Sequence, residues 1–158
     1  MLALLLFPLL GYFAHTMDER GRVSLPSIFR DALWPNGEIG RMVICPSPLL
    51  DCLRLYPLEV WNELVAPTFH RMEADTVSMD FRRALFSNSV VAEVDRVGRV
   101  IIPANLRDLV ALSDDVVFCG QQNYVECWSK ARWESEGQGL VKELAVLMRK
   151  VGLGGRAT

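Results

Sequence analysis

The side chains in this chain best suited to chemistry are arginines at two places. Arg20 and Arg22 flank Gly21, and Arg96 and Arg99 surround Gly98, with an aspartate leading into each group at Asp18 and Asp95. Aspartate followed by glycine three residues later is turn chemistry, because the carboxylate bonds its own backbone and glycine tolerates positive φ. Guanidinium groups on a rigid turn suit phosphate contacts and the paired hydrogen bonds that guanine accepts in the major groove of a duplex. The same spacing suits a plainer role, in which Arg22 and Arg99 pair with Asp18 and Asp95 and only brace the turns. Arg30 and Arg107 fall in helical stretches and suit bonds to nearby carboxylates or carbonyls.

These residues belong to a stretch that occurs twice. One copy runs Asp18-Glu19-Arg20-Gly21-Arg22-Val23-Ser24-Leu25-Pro26-Ser27-Ile28-Phe29-Arg30. The other runs Asp95-Arg96-Val97-Gly98-Arg99-Val100-Ile101-Ile102-Pro103-Ala104-Asn105-Leu106-Arg107. Asp, Gly, Arg, Val, Pro and the closing Arg are identical, and such self-similarity marks a duplicated unit. Each copy predicts a turn, a short strand (Val23-Ser24-Leu25; Val100-Ile101-Ile102), a proline opening a helix (Pro26; Pro103) and a short helix. Ile28, Phe29, Ala32 and Leu33 recur at helical spacing, as do Leu106, Leu109 and Val110.

The surrounding elements also repeat. Strands are predicted over Tyr12–Met17, Met42–Cys45 and Cys52–Tyr56, then over Ser89–Val94, Val116–Cys119 and Tyr124–Trp128. Pro57 opens a helix bearing Trp61 that Pro67 disrupts, and Ser129 caps one bearing Trp133. Asp75 caps a connecting helix that extends to about Phe86. Gly137-Gln138-Gly139 is a break, and beyond it Leu144, Leu147, Met148 and Val151 form the apolar stripe of an amphipathic helix. That helix docks on the protein's own core or on a neighbouring subunit, and Gly152, Gly154 and Gly155 end it in a loose tail. Residues 9–66 and 89–136 are thus the two halves, 67–88 the helical connection, and 137–158 the C-terminal helix and tail. Residues 1–8 form an apolar extension or the product of a start codon placed too far upstream, ahead of a degenerate signal or membrane anchor.

The 158 residues are 51% hydrophobic and 23% charged, with a net charge of −2. That composition excludes disorder as the main state, and no global basic field announces a nucleic-acid partner. Cys45, Cys52, Cys119 and Cys127 form no C-x-x-C pair, so a metal site is not expected and buried free thiols are. No nucleophile elbow, phosphate-cradling loop or zinc-protease motif occurs, and Gly152-Leu153-Gly154-Gly155 lacks the context of a dinucleotide site. His15 and His70 stand alone. Neither an enzyme nor a cofactor is expected.

The doubled motif D-x-x-G-R-V-x-L/I-P-x-x-F/L-R resembles the MraZ family of bacterial transcriptional regulators. The likeness extends to Gly11-x-Phe13-x-His15-Thr16-Met17, to Leu55-Tyr56-Pro57-Leu58-Glu59-x-Trp61, to Gly120-Gln121, and to Trp128-x-Lys130-x-x-Trp133, spanning about Leu9 to Glu134. The resemblance implies an α+β chain of two tandem, duplicated, swapped-hairpin AbrB/SpoVT-like β-barrel halves with short helices, followed by the C-terminal amphipathic helix. It implies a cytoplasmic, nucleoid-associated homo-oligomeric ring that binds double-stranded DNA at short G-rich direct repeats upstream of the division and cell-wall gene cluster. No small-molecule substrate and no membrane partner are implied. Carried over position by position, Arg22 and Arg99 lead as DNA contacts. Arg20 and Arg96 follow, although Val97 stands where the first copy has Arg20. Asp18, Gly21, Pro26, Arg30, Asp95, Gly98, Pro103 and Arg107 are the structural motif. The alternative class is an assembly protein whose hairpins make protein or membrane-surface contacts without reading DNA.

Overall fold

Residues 8–155 are described by a computed structural model; the Met1–Phe7 part of the apolar extension lies outside them. Eight strands are described: β1 (Tyr12–Thr16), β2 (Arg22–Ser24), β3 (Gly40–Pro46), β4 (Leu53–Pro57), β5 (Val90–Val94), β6 (Arg99–Ile101), β7 (Asp115–Gly120) and β8 (Val125–Ser129). Six form an antiparallel sheet in the order β1-β7-β8-β4-β3-β5, and β2 and β6 pair separately as a two-stranded ribbon. The chain is therefore α+β, with short helices between the strands.

The sheet order is the same read from either end once each strand is exchanged for its repeat equivalent (β1 with β5, β3 with β7, β4 with β8). This pairing crosses the halves. β1, from the first half, pairs with β7 of the second, Tyr12 opposite Cys119 and Thr16 opposite Asp115. β5, from the second, pairs with β3 of the first, Gly40 opposite Val94. The ribbon itself takes one strand from each half. The two halves thus exchange their leading strands.

Apolar alternation directs this assembly. Val23 and Leu25 from one half and Val100 and Ile102 from the other are buried with Phe29, Met42, Ile44, Leu53, Leu55, Leu106, Val116 and Phe118 in one core. Each motif helix contributes to it. α1 (Ser27–Leu33) buries Phe29 and Leu33, and α5 (Ala104–Leu109) buries Leu106. Pro26 and Pro103 stand at the N-caps of these helices in extended conformation, where a missing N–H leaves no carbonyl unserved.

After β4 the chain stays helical from Leu58 to His70: α2 (Leu58–Val60), a π-helical segment (Trp61–Val65) and α3 (Ala66–His70). The expected disruption at Pro67 takes the form of a register change and not of a break. Ala66 N–H bonds back to Trp61 O, and this wider register relieves the clash of the Pro67 ring with a carbonyl four residues before it. α4 (Thr76–Ser87) follows, capped by Asp75, whose side chain accepts from Ser78 N.

The second half repeats the device. Ser129 caps α6 (Lys130–Arg132), and a π-helical segment (Trp133–Gly137) again begins at a tryptophan. The expected break at 137–139 is also absent, because a 3-10 segment (Gln138–Glu143) continues into α7 (Leu144–Lys150). Gly137 is buried beside the Trp133 ring, which leaves no room for a Cβ. Its smallness serves packing there, not interruption. Of the stripe expected to dock, Leu144, Met148 and Val151 are exposed and Leu147 is half-buried, so the chain's own core covers little of it.

Candidate nucleic-acid interface

Each arginine turn is built on its aspartate. Asp18 Oδ1 accepts the backbone N–H groups of Arg20 and Arg22, both at 2.9 Å, while Oδ2 accepts Arg22 Nε at 2.7 Å. Gly21 N–H closes the turn on Asp18 O at 3.0 Å. In the second copy Asp95 Oδ1 accepts from Val97 N at 3.1 Å and Arg99 N at 2.9 Å, and Oδ2 accepts Arg99 Nε at 3.2 Å. These bonds favour the charged carboxylate. The backbone N–H of Arg22 and then its guanidinium hold Asp18 below the usual aspartate range, and the backbone N–H of Arg99 does so for Asp95. The turn glycines lie at φ +81° and +84°, which only glycine adopts without strain.

The two turns meet. Leu25 N–H bonds to Gly98 O at 2.9 Å and Ile102 N–H to Gly21 O at 2.8 Å, so each half's strand end ties down the other half's turn. Arg30 is anchored in its own half, donating from Nε to Leu25 O at 3.2 Å, and reaches across to the other, donating from Nη1 to Val97 O at 3.4 Å. Its guanidinium lies over Gly98, leaving no room for a Cβ there. Arg107 occupies the equivalent place over Gly21, whose Cβ would also strike the Ile102 carbonyl oxygen. Arg107 Nε is buried and has no hydrogen-bond partner among the described residues. Its contribution at Gly21 is packing.

Arg22 and Arg99 keep side-chain exposures of 40% and 48% despite their ion pairs. Both pairs engage Nε, and the Nη edges make no hydrogen bond among the described residues. Arg20 and Arg96 are exposed at the turn tips, with no side-chain bond among those residues. The two motif stretches together hold six arginines against the three carboxylates Asp18, Glu19 and Asp95, in a chain whose net charge is −2. The cross-half bonds gather into one surface what the sequence holds as two distant turns.

Other candidate groups lie elsewhere. His15, on β1, packs edge-on against Phe118 at 5.7 Å, and burial with Arg30 nearby lowers its pKa. The four thiols are unpaired, and burial pushes Cys45 up to about 12. Among the described residues no three His, Cys, Asp or Glu side chains cluster to hold a metal, and no helix is long and apolar enough to cross a membrane.

Two features escaped the residue-by-residue reading. Ser24 and Ile101 share the ribbon's outward face with the arginines, a placement foreshadowed only by their period-two spacing from Arg22 and Arg99. An open apolar groove of about 580 Å³ lies between the helices after β4, lined by Tyr56, Trp61, Leu64, Phe69, Phe81 and Leu85 among others. Nothing local in the sequence announces it.

Strand exchange between duplicated halves, with a cationic two-stranded ribbon at their junction, defines a class: tandem-repeat α+β proteins that present one composite arginine surface. Comparison with known proteins gives the family. It matches the family model described as "MraZ protein, putative antitoxin-like" over residues 9–82 and 85–143, and it belongs to the MraZ family. It is 38% identical over 125 residues to a protein of Acetivibrio thermocellus named Transcriptional regulator MraZ, covering 79% of this chain and 83% of that one. A protein of the same name from Lachnoclostridium phytofermentans is 34% identical over 144 residues, covering 91% and 97%. One from Thermomicrobium roseum is 33% identical over 134 residues, covering 85% and 90%. Among solved structures, the solution structure of PHS018 from Pyrococcus horikoshii aligns with 17% identity over 75% of this chain and 87% of that one, at a TM-score of 0.32, too low to define a shared fold.

Proposed function

We propose that this chain is a DNA-binding transcriptional regulator. It assembles into a closed homo-oligomeric ring, in the cytoplasm and on the nucleoid, and binds short G-rich direct repeats upstream of the division and cell-wall gene cluster. Its two halves, 9–66 and 89–136, act as AbrB/SpoVT-like units joined by 67–88 and followed by 137–158, with 1–8 as an extension. Arg20, Arg22, Arg96 and Arg99 meet the DNA, and Asp18, Gly21, Pro26, Arg30, Asp95, Gly98, Pro103 and Arg107 hold them in place. Family membership and the names of the relatives support the regulatory reading. The observation that carries it is the joined pair of turns, in which the outer Nη edges of Arg22 and Arg99 make no hydrogen bond among the described residues. An arginine anchored through Nε presents two parallel N–H donors, the geometry that guanine O6 and N7 accept.

The ion pairs at Asp18 and Asp95 favour the second reading in part, since in an assembly protein the same arginines would only brace. The two roles are compatible in one side chain, because bracing uses Nε and reading uses Nη. A gel-shift series with the DNA upstream of the protein's own gene separates them. Arg22→Ala combined with Arg99→Ala is expected to reduce binding sharply, at about 1–3 kcal/mol for each lost base contact, while melting temperature and oligomer mass stay near wild type. Binding should also weaken steeply with added salt. Normal binding by the folded double variant would leave the arginines as braces and sink the proposal.

A further inference from the structure

The repeat relates the two turns, yet the surface they present is not symmetric. In the ribbon Arg22 stands opposite Ile101, Ser24 opposite Arg99, and Val23 opposite Val100. Val23 and Val100 are buried, so alternation turns the other four outward. Directly opposed residues of an antiparallel pair lie about 4.5–5.5 Å apart at Cα. The outward face is therefore a patch of four, with arginines at one diagonal and Ser24 and Ile101 at the other. Positions 24 and 101 are equivalent in the repeat and carry opposite chemistry, one hydroxyl and one branched aliphatic. The turn tips break the symmetry too, with Arg20 against Val97 and Glu19 against Arg96.

Ile101 is 56% exposed at a corner of this cationic patch, although Val23 and Val100 bury the aliphatic groups of the same ribbon well. A two-stranded ribbon fits the major groove, where the apolar group on the base edges is the 5-methyl of thymine. Resting on the reading of this face as a DNA-contacting surface, we infer that Ile101 is a specificity-determining residue that packs on a thymine 5-methyl beside the base contacted by Arg22. Ser24, at the equivalent corner beside Arg99, supplies no such contact. One half of the ribbon then prefers thymine next to its arginine's base and the other does not. The chain reads its site in one direction even though its turns are related by a repeat.

The test uses the fragment upstream of the protein's own gene, prepared either with thymidine or with deoxyuridine throughout, which removes only the 5-methyl groups. Wild type should bind the deoxyuridine fragment several-fold more weakly, the scale set by burying about one methyl group. Ile101→Ala should bind the thymidine fragment weakly by a similar factor and be indifferent to the exchange, and Ser24→Ala should keep the wild-type sensitivity. The exposure of Ile101 lets its alanine variant fold, which melting curves on the same preparations check. Equal sensitivity of wild type and Ile101→Ala, or no sensitivity in wild type, overturns the inference while leaving DNA binding intact. Failure of wild type to bind either fragment removes the DNA-contacting surface itself, and the inference with it.

Discussion

Asp18 and Asp95 each divide one carboxylate between two tasks, Oδ1 holding the turn's backbone and Oδ2 the guanidinium. Because both pKa values are lowered in the folded chain, their contribution to stability is present above the ordinary aspartate value of about 3.9 and is lost as pH falls through the lowered values. Asp18→Asn with Asp95→Asn removes the charge and keeps a similar shape. Below about pH 4 the melting temperature of this variant should fall less steeply than that of wild type, and parallel curves would contradict the assignment. The glycines offer a finer test. At Gly98 an added Cβ meets the movable guanidinium of Arg30, whereas at Gly21 it also meets the Ile102 backbone carbonyl, which has little freedom to shift. Gly21→Ala should therefore destabilise more than Gly98→Ala. Arg30→Ala should itself lower stability, and adding Gly98→Ala to it should cost less than the two separate losses predict. A double-mutant cycle by denaturant unfolding measures that coupling.

At the scale of elements, the exchange of strands governs what can fold alone. β1 finds its sheet partner in β7, β5 finds its own in β3, and the ribbon needs β2 and β6 together. A fragment ending in the exposed stretch after α3, residues 1–72, would leave β1 and β2 without partners and uncover Val23, Leu25 and Phe29. It should not be a folded monomer. It should be unfolded, or pair with a second copy of itself in place of the missing half, and mixing with 73–158 should restore the native near-UV signal. A monomeric, cooperatively unfolding 1–72 fragment would contradict the exchanged topology.

The whole molecule leaves unusual apolar surface uncovered. Phe81, Phe86 and Leu64 are exposed on or near the groove after β4, and α7 presents Leu144 and Met148 to solvent. Monomeric proteins seldom leave such patches open. In the proposed ring this surface is covered by a neighbouring copy, so light scattering should give a mass several times 17.8 kDa. Phe81→Asp should lower that mass and weaken operator binding through lost avidity, with the secondary structure unchanged. A monomer mass for wild type at micromolar concentration would defeat the ring.

The sequence by itself determined the repeated motif, the order of strands and short helices, the capping at Asp75 and Ser129, and the arginine turns. Each of these rests on contacts within a few residues, where residue type and spacing act directly. It also showed that Arg22 and Arg99 have partners at hand in Asp18 and Asp95. It marked the place at Pro67 but not its form, a change of helical register, and it misplaced a break at the glycines of 137–139, where the ring of Trp133 decides the packing. Only the tertiary structure decided which strands the halves exchange, which follows from pairing between residues far apart in the chain. That exchange brings Arg30 onto Gly98 and Arg107 onto Gly21, and makes one surface of two turns. It also sets Ile101 beside Arg22, since the register of an antiparallel pair between distant segments is fixed by which valines can be buried together.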